Sequence, residues 1–133
     1  MYNEQYTVRF YETDALGHVG NTVVVGWFEA ARLPLFRLFV PDLCLQNWPL
    51  ILANYNVDFV LQIYLQNPVQ IKTWISRIGN SSFEVYQECW QLDELKAKGK
   101  TTLVHFDYAA KKSKAIPDEI STTLQTHMHK PGA

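Results

Sequence analysis

The stretch RFYETDALGHVGNTVVVGWFEAAR, residues 9–32, leads from a predicted strand through a polar loop into an apolar helix. Residues 5–12 alternate in polarity with the period of a strand. Residues 14–21 contain two glycines and an asparagine, which predict a loop. From Thr22 to Phe39, apolar side chains recur at steps of three and four, which predicts a helix. The loop therefore joins two elements that each have a face to bury.

The predicted helix contains a proline. Pro34 lacks the N–H that would donate to the carbonyl of Ala30, a loss that costs about 3 kcal/mol inside a helix. We expect a kink there, or a break with Pro34 starting a second short helix. Asn21 or Thr22 is a suitable N-cap for the first segment.

Strand-like runs follow the helix at residues 51–60, 69–78, 82–92 and 101–109. Most of them alternate with period two. The turn at 78–81 contains Gly79 and Asn80, which tolerate the positive φ of a tight hairpin. The charged segment 93–100 is predicted to be the tip of a second hairpin, and a short helix is predicted near 118–127. One long helix against one antiparallel sheet predicts an α+β fold in a single domain, residues 1–133.

The composition excludes several classes of function. The formal charge of −1 argues against a nucleic-acid partner, which would require a basic excess. The sequence has no signal peptide and no apolar run of the roughly 20 residues that would span a bilayer, which predicts a cytoplasmic protein without a membrane partner. Cys44 and Cys89 are predicted to be buried thiols in a reducing compartment. Nucleotide-binding and serine-hydrolase motifs are absent from the sequence, so we expect no cofactor and no metal.

Residues 12–21 hold two carboxylates, a histidine and an asparagine immediately before a helix. A helix N-terminus presents unpaired N–H groups that stabilise developing negative charge. A carbonyl held there could be attacked by a nearby carboxylate, or by water that the carboxylate activates. From the residues alone, an acidic loop before a helix is more often a solvated, capped turn. Both interpretations are open at this point.

Residues 9–32 also resemble the signature of the 4-hydroxybenzoyl-CoA thioesterase family, in which ETD and GH precede a helix that contains WFE and AR. The likeness continues at 57–59, 78–83 and 116–117, in the order expected over nearly the whole chain. The resemblance implies a hotdog fold, in which an antiparallel sheet wraps around one long central helix. It also implies a homodimer or homotetramer with active sites at the dimer interface. The implied reaction hydrolyses an acyl-CoA substrate to a free acid and CoA.

The resemblance assigns roles to single residues. Asp14 matches the carboxylate that acts as nucleophile or general base, and Asn21 matches the position whose backbone N–H polarises the thioester carbonyl. His18, in the same motif, would either hydrogen-bond the substrate or only fix the loop. CoA contacts, for which a ligand-free hairpin turn is the alternative, are implied for Asn80, Ser81 and Ser82 in the turn 79–82 and for Arg77 just before it.

The sequence departs from the family pattern at Gly20, where an asparagine is usual, and at Val23–Gly26, which replaces a more polar helix start. Both departures would reshape the acyl pocket. Two alternatives to an acyl-CoA thioesterase are an acyl-ACP thioesterase, acting on acyl groups carried by acyl carrier protein, and a non-catalytic module that binds acyl-CoA.

Two further ionisable residues have simpler interpretations. Glu29 matches a catalytic position of a different subgroup, but we expect it to pair with Arg32 one turn along the helix. His105 lies in an alternating strand and is predicted to be a half-buried core histidine.

Overall fold

A computed structural model describes residues 1–46 and 48–129. In chain order its elements are β1 Tyr2–Tyr6, a 3-10 helix Phe10–Glu12, α1 Asn21–Ala31, α2 Leu33–Phe39, β2 Leu50–Phe59, β3 Val69–Ile78, β4 Ser82–Gln91, β5 Glu94–Asp107, β6 Lys112–Ser113 and α3 Asp118–Gln125. The main sheet has the order β1-β3-β4-β5-β2, with β6 beside β5, and all its neighbours are antiparallel. The α+β prediction is confirmed.

The helices cover one face of the sheet. α1 buries Val24, Trp27, Phe28 and Ala31 against Val69, Ile71, Cys89 and Ala97 of the strands. The second half of the core lies around Leu35 of α2 and includes Ile75, Phe83, Val85 and Leu103, with Leu124 from α3. The strict alternation of buried residues along β3 and β4 follows from the two-residue period of a strand whose inner face is apolar.

The predicted break in the long helix is confirmed. α1 ends at Ala31, and α2 begins at Leu33 with Pro34 in its first turn, where a missing N–H costs no intrahelical bond. The predicted N-cap is wrong by one or two residues. Gly20 is the N-cap of α1, and its carbonyl accepts from the N–H groups of Val23 and Val24 at 3.1 and 3.4 Å. Asn21 is therefore the first residue of the helix.

The strand predicted at 5–12 is largely wrong. β1 ends at Tyr6, and the chain leaves the sheet before the 3-10 helix. The N–H of Arg9 donates to Glu12 Oε1 at 2.7 Å, and Thr13 Oγ1 donates to the carbonyl of Phe10 at 2.7 Å. Such local bonds between side chains and backbone offer the chain an alternative to strand pairing.

The charged segment 93–100 is not a hairpin tip, because β5 already begins at Glu94. The turn between β4 and β5 consists of Leu92 and Asp93, which both adopt left-handed φ, at 52° and 60°. A two-residue turn with two positive φ angles matches the right-handed twist of a hairpin. The positive φ that we expected at Gly79 and Asn80 thus occurs at the other hairpin.

The other predicted strands and the short helix agree with the structure, whereas one of the two cysteine predictions does not. β2, β3, β4 and α3 match their predicted ranges to within two residues, and β5 covers the predicted strand at 101–109 except for its last two residues. Cys89 is buried as predicted, whereas Cys44 is exposed, because it lies in the irregular segment after α2. In the described part of the chain, no helix combines the length and apolar character needed to cross a membrane.

Candidate active site

Asp14 lies at the start of a tight loop whose two ends pair with each other. Thr13 forms a bridge with Val19, and the N–H of Asp14 donates to the carbonyl of His18 at 2.8 Å. Inside the loop, the N–H of Gly17 donates to the carbonyl of Asp14 at 3.0 Å. Gly17 has φ +76°, a left-handed conformation that glycine adopts at little cost. The backbone alone therefore holds the loop in a defined shape.

The carboxylate of Asp14 reinforces the same loop. Its Oδ1 accepts from the N–H groups of Leu16 at 2.8 Å and His18 at 3.1 Å. These two N–H groups, assisted by the nearby His18 side chain, hold the pKa of Asp14 below its usual value. The side chain is exposed to solvent. Asp14 is thus ionised at neutral pH and accessible, as a nucleophile or general base must be.

His18 joins the Asp14 loop to a second segment, residues 61–67. Its backbone forms a bridge with Tyr64, and the N–H of Val19 donates to the carbonyl of Ile63 at 2.9 Å. The imidazole packs edge-on against the Tyr64 ring, with centroids 5.2 Å apart. In the described residues, His18 thus contributes to the shape of the loop through both its backbone and its ring.

Glu12, whose carboxylate is the second of the motif, connects three parts of the chain. Its Oε1 accepts from the N–H of Arg9 at 2.7 Å and its Oε2 from the indole N–H of Trp27 at 3.1 Å. The carbonyl of Glu12 accepts from the N–H of Gly20 at 3.1 Å. Glu12 thereby ties the 3-10 helix to α1 and sets where α1 begins, a role that sequence reasoning missed.

Asn21 occupies the first position of α1, beside a cleft. The N–H groups of the first helical turn have no partner within the helix and carry the positive end of its dipole. The cleft has a volume of about 250 Å³ and is lined by Val19, Asn21, Val24 and residues 59–63. A carbonyl oxygen placed in this cleft would meet a donor suited to an oxyanion.

The four residues expected to contact CoA lie at the other end of the sheet. The carbonyl of Ser81 accepts from the N–H of His105 at 2.7 Å, and the carbonyl of Asn80 accepts from the N–H of Ile116 at 2.8 Å. The Asp14 loop lies near Gln91, at the opposite end of the ten-residue strand β4. Ten residues of strand span about 30 Å. Asp14, His18 and Asn21 are brought together in one chain, whereas Arg77, Asn80, Ser81 and Ser82 are not brought to them.

Residues 8–124 match the family model described as the thioesterase-like superfamily. The chain belongs to this superfamily. The solved structure of a predicted thioesterase from Bacillus stearothermophilus is 39% identical, covers 98% of both chains and superposes with a TM-score of 0.93. A thioesterase from Thermus thermophilus, solved with coenzyme A and Zn, is 27% identical over 97% of this chain and 95% of its own, with a TM-score of 0.82. A 1,4-dihydroxy-2-naphthoyl-CoA hydrolase from Nostoc punctiforme is 29% identical over 130 residues, 91% of this chain and 84% of its own.

These similarities confirm two predictions. The antiparallel sheet curled around the central helical segment of residues 21–39, which consists of α1 and α2, is the hotdog fold. The chain is a hydrolase that acts on thioester bonds. In the described residues of this thioesterase, no group of three His, Cys, Asp or Glu side chains could hold a metal ion.

The predicted ion pair between Glu29 and Arg32 is wrong. Arg32 lies at the break between α1 and α2, and its side chain is buried against the sheet. Its Nη1 donates to Gln87 Oε1 at 3.2 Å and to Thr101 Oγ1 at 3.3 Å. Burial lowers the pKa of Arg32, an effect that the charge of exposed Glu29 partly opposes. The guanidinium is thus held by neutral polar groups of the core, and Glu29 stays at the surface.

His105 is a core histidine, as predicted, but it is buried rather than half-buried. Its side chain is 7% exposed and its Nδ1 lies 3.0 Å from the carbonyl oxygen of Ala115. The ring also packs against Phe39 of α2, with centroids 5.2 Å apart. These contacts give His105 a place in the fold, at the end of the sheet remote from Asp14.

Proposed function

We propose that this thioesterase hydrolyses an acyl-CoA to a free acid and CoA, with Asp14 as nucleophile or general base. The observation that carries the proposal is the ionised, accessible carboxylate of Asp14 on a loop that leads directly into the N-terminus of α1. CoA as the carrier is supported by the relatives, since the Thermus structure contains coenzyme A and the Nostoc relative is a CoA hydrolase.

The proposed reaction places the thioester carbonyl in the cleft beside Asn21. Asp14 either attacks the carbonyl carbon directly or removes a proton from a water molecule that attacks it. The carbonyl oxygen becomes an oxyanion, which the N–H of Asn21 stabilises. The carbon–sulfur bond then breaks, and CoA leaves as a thiolate that takes up a proton. In the direct route, water subsequently hydrolyses the mixed anhydride formed on Asp14.

We further propose that the site is completed by a second copy of the chain. Asp14 is exposed in the single chain, whereas electrostatic stabilisation is strongest where water is excluded. β2 is the last strand of the main sheet, and Leu52, Tyr55 and Phe59 along it are 46%, 52% and 46% exposed. An exposed apolar edge strand invites pairing with another strand. Two copies related by a twofold axis would pair their β2 strands antiparallel.

Antiparallel pairing of β2 would reunite the two parts of the candidate site. The Leu50 end of one strand would lie beside the Phe59 end of the other. Leu50 pairs with His105, whose N–H bonds to Ser81, while Phe59 lines the cleft beside Asn21. The turn that includes Asn80, Ser81 and Ser82, with Arg77 before it, would therefore reach the Asp14 end of the other copy. We propose that these residues contact CoA across the interface.

The test is a turnover screen with short, long and aromatic acyl-CoAs, in which the released thiol is detected. We expect thiol release from at least one acyl group at a rate far above that of the Asp14→Asn variant. Equal rates for both proteins on every acyl-CoA would contradict the proposal. A parallel series with the same acyl groups on acyl carrier protein identifies the carrier. We propose a cytoplasmic location, which suits the two free thiols Cys44 and Cys89.

A further inference from the structure

Gln91, at the end of β4, uses its whole side-chain amide to hold another part of the backbone. Its Nε2 donates to the carbonyl of Tyr64 at 2.7 Å and to that of Asn67 at 2.8 Å. Its Oε1 accepts from the N–H of Tyr64 at 3.0 Å. The side chain is 2% exposed, so water does not compete for these bonds. One buried glutamine thus fixes the segment of residues 61–67.

That segment in turn supports the Asp14 loop. The carbonyl of Ile63 accepts from the N–H of Val19, and Tyr64 bridges His18. The N–H of His18 is one of the two donors to Asp14 Oδ1. A chain of direct contacts therefore runs from Gln91 through Tyr64 and His18 to the carboxylate of Asp14.

We infer that Gln91 is a positioning residue for thioester hydrolysis, because it fixes the segment on which the Asp14 loop rests. This inference depends on the proposed role of Asp14. Gln91 lies 77 residues from Asp14 in sequence (91 minus 14) and does not contact it, so its effect on the reaction is indirect. Removing the amide leaves the Tyr64 and Asn67 carbonyls without their donor, and the segment then moves to find new partners.

Charged side chains near the contacts from Gln91 to Asp14 must be considered before the pH dependence of kcat is interpreted. Glu12 lies in the 3-10 helix and is engaged by Trp27. Lys96 of β5 lies under the Tyr64 ring, 5.3 Å from its centroid, and pairs with Glu94 at 3.4 Å. Loosening the segment weakens the bond from His18 N–H to Asp14. Because that N–H favours the ionised carboxyl, its loss raises the pKa of Asp14 toward the ordinary value.

The experiment compares Gln91→Met with Gln87→Met. Gln87 is also a buried glutamine of β4, and its Nε2 donates to the Phe28 carbonyl and to Thr73 Oγ1 at 2.9 and 3.0 Å, but no bond joins it to residues 61–67. For Gln91→Met we expect kcat to fall between about 10- and 100-fold, with KM little changed. The acid limb of kcat moves to higher pH, and the amide hydrogens of Leu16 and His18 exchange faster. For Gln87→Met we expect no change in kcat, in the acid limb of kcat or in the exchange of these two amide hydrogens, once rates are corrected for the folded fraction.

Unchanged exchange at Leu16 and His18 in folded Gln91→Met would overturn the inference and leave the role of Asp14 untouched. Equal losses in both glutamine variants would overturn it too, because the effect would then be general destabilisation. If Gln91→Met does not fold, Gln91→Asn replaces it, since it shortens the reach of the amide toward Tyr64 and Asn67 by one methylene without burying a charge. Failure of the proposed function has a different signature, namely wild-type turnover by Asp14→Asn.

Discussion

At the scale of single residues, Asp14 combines a structural and a proposed chemical role in one carboxylate. Asparagine at this position keeps an oxygen that can accept from Leu16 and His18, so the loop should persist while the negative charge is lost. We expect Asp14→Asn to lower kcat by at least about 10³-fold, the scale of a lost nucleophile or base. Thiol-release kinetics and thermal melting measure the two effects separately. Near-wild-type turnover would exclude Asp14 and make Glu29 the next residue to test.

If Asp14 is the reactive carboxylate, its lowered pKa should set the acid limit of the proposed reaction. The reactive form is the carboxylate, so the rate should be constant as the pH falls from neutral and decline only as Asp14 is protonated. Because the N–H groups of Leu16 and His18 hold the pKa of Asp14 down, the midpoint of that decline should lie below the ordinary aspartate pKa of about 3.9. A kcat/KM profile, with circular dichroism at each pH, tests this. A decline above pH ~5 in folded protein would contradict it.

Asn21 permits a contrast between backbone and side chain. If its N–H is the oxyanion donor, Asn21→Ala should keep most of the activity. Asn21→Pro removes the donor and should lower kcat by about 10²-fold or more. Proline is favoured at the first helical position, which Asn21 occupies, so the fold should survive. Similar large losses in both variants, with helix content and melting temperature preserved, would show that the side chain matters.

The sequence could predict the close grouping of Asp14, His18 and Asn21 because they lie within eight consecutive residues (14–21). It could not predict the partners of Arg32, since Gln87 and Thr101 are 55 and 69 residues away. The role of Gln91 was hidden for the same reason, because Tyr64 is 27 residues from it. Such contacts exist only after the sheet has formed, and no local pattern encodes them.

At the scale of elements, the hydrophobic period predicted the central strands well. It failed where local hydrogen bonds or the conformation of a turn determined where a strand begins or ends. β3 was predicted in its full range, because one face is uniformly buried and the other is not. Residues 5–12 alternate like a strand, yet Glu12 and Thr13 bond locally and divert the chain. The segment 93–100 is charged, but Lys98 and Lys100 lie exposed on a well-paired strand, so charge there marks a solvent-facing side rather than a turn.

Gly99 of β5 tests how closely the strands and α1 pack. A Cβ at this position would lie 2.9 Å from the carbonyl oxygen of Asn56 and 3.1 Å from Cγ2 of Val57. We expect Gly99→Ala to destabilise the protein by about 1–3 kcal/mol, as overpacking of a core does. Gly26 is an exposed residue inside α1, and a Cβ there would have no atom within 4 Å. Because alanine loses less backbone entropy than glycine in a helix, Gly26→Ala should stabilise the protein by about 0.5–1 kcal/mol. Urea unfolding of both variants measures the contrast, and equal stability changes would contradict it.

At the scale of the whole molecule, the sequence similarity spans the chain, while the Asp14 loop and the turn proposed to contact CoA lie at opposite ends of the sheet. Residues 8–124 match the superfamily, and this range contains both the Asp14 loop and the turn at Asn80–Ser82. The length of β4 keeps these two regions apart. The proposed extension of the sheet through β2 would bring them together and would cover exposed apolar side chains.

The proposed pairing of β2 between two copies predicts that assembly and activity change together. We expect a stable dimer at micromolar concentration, measured by sedimentation or light scattering. Tyr55 is half exposed near the middle of β2. Tyr55→Lys places a positive charge on this edge strand, and a lysine there opposes pairing with another strand. This variant should dissociate and lose turnover in proportion, although Tyr55 lies in neither half of the candidate site. Tyr108→Lys, which changes a tyrosine of similar exposure beyond the end of β5, should stay dimeric. A wild-type protein that is monomeric and fully active would rule out a shared site, because each chain would then supply every group the reaction needs.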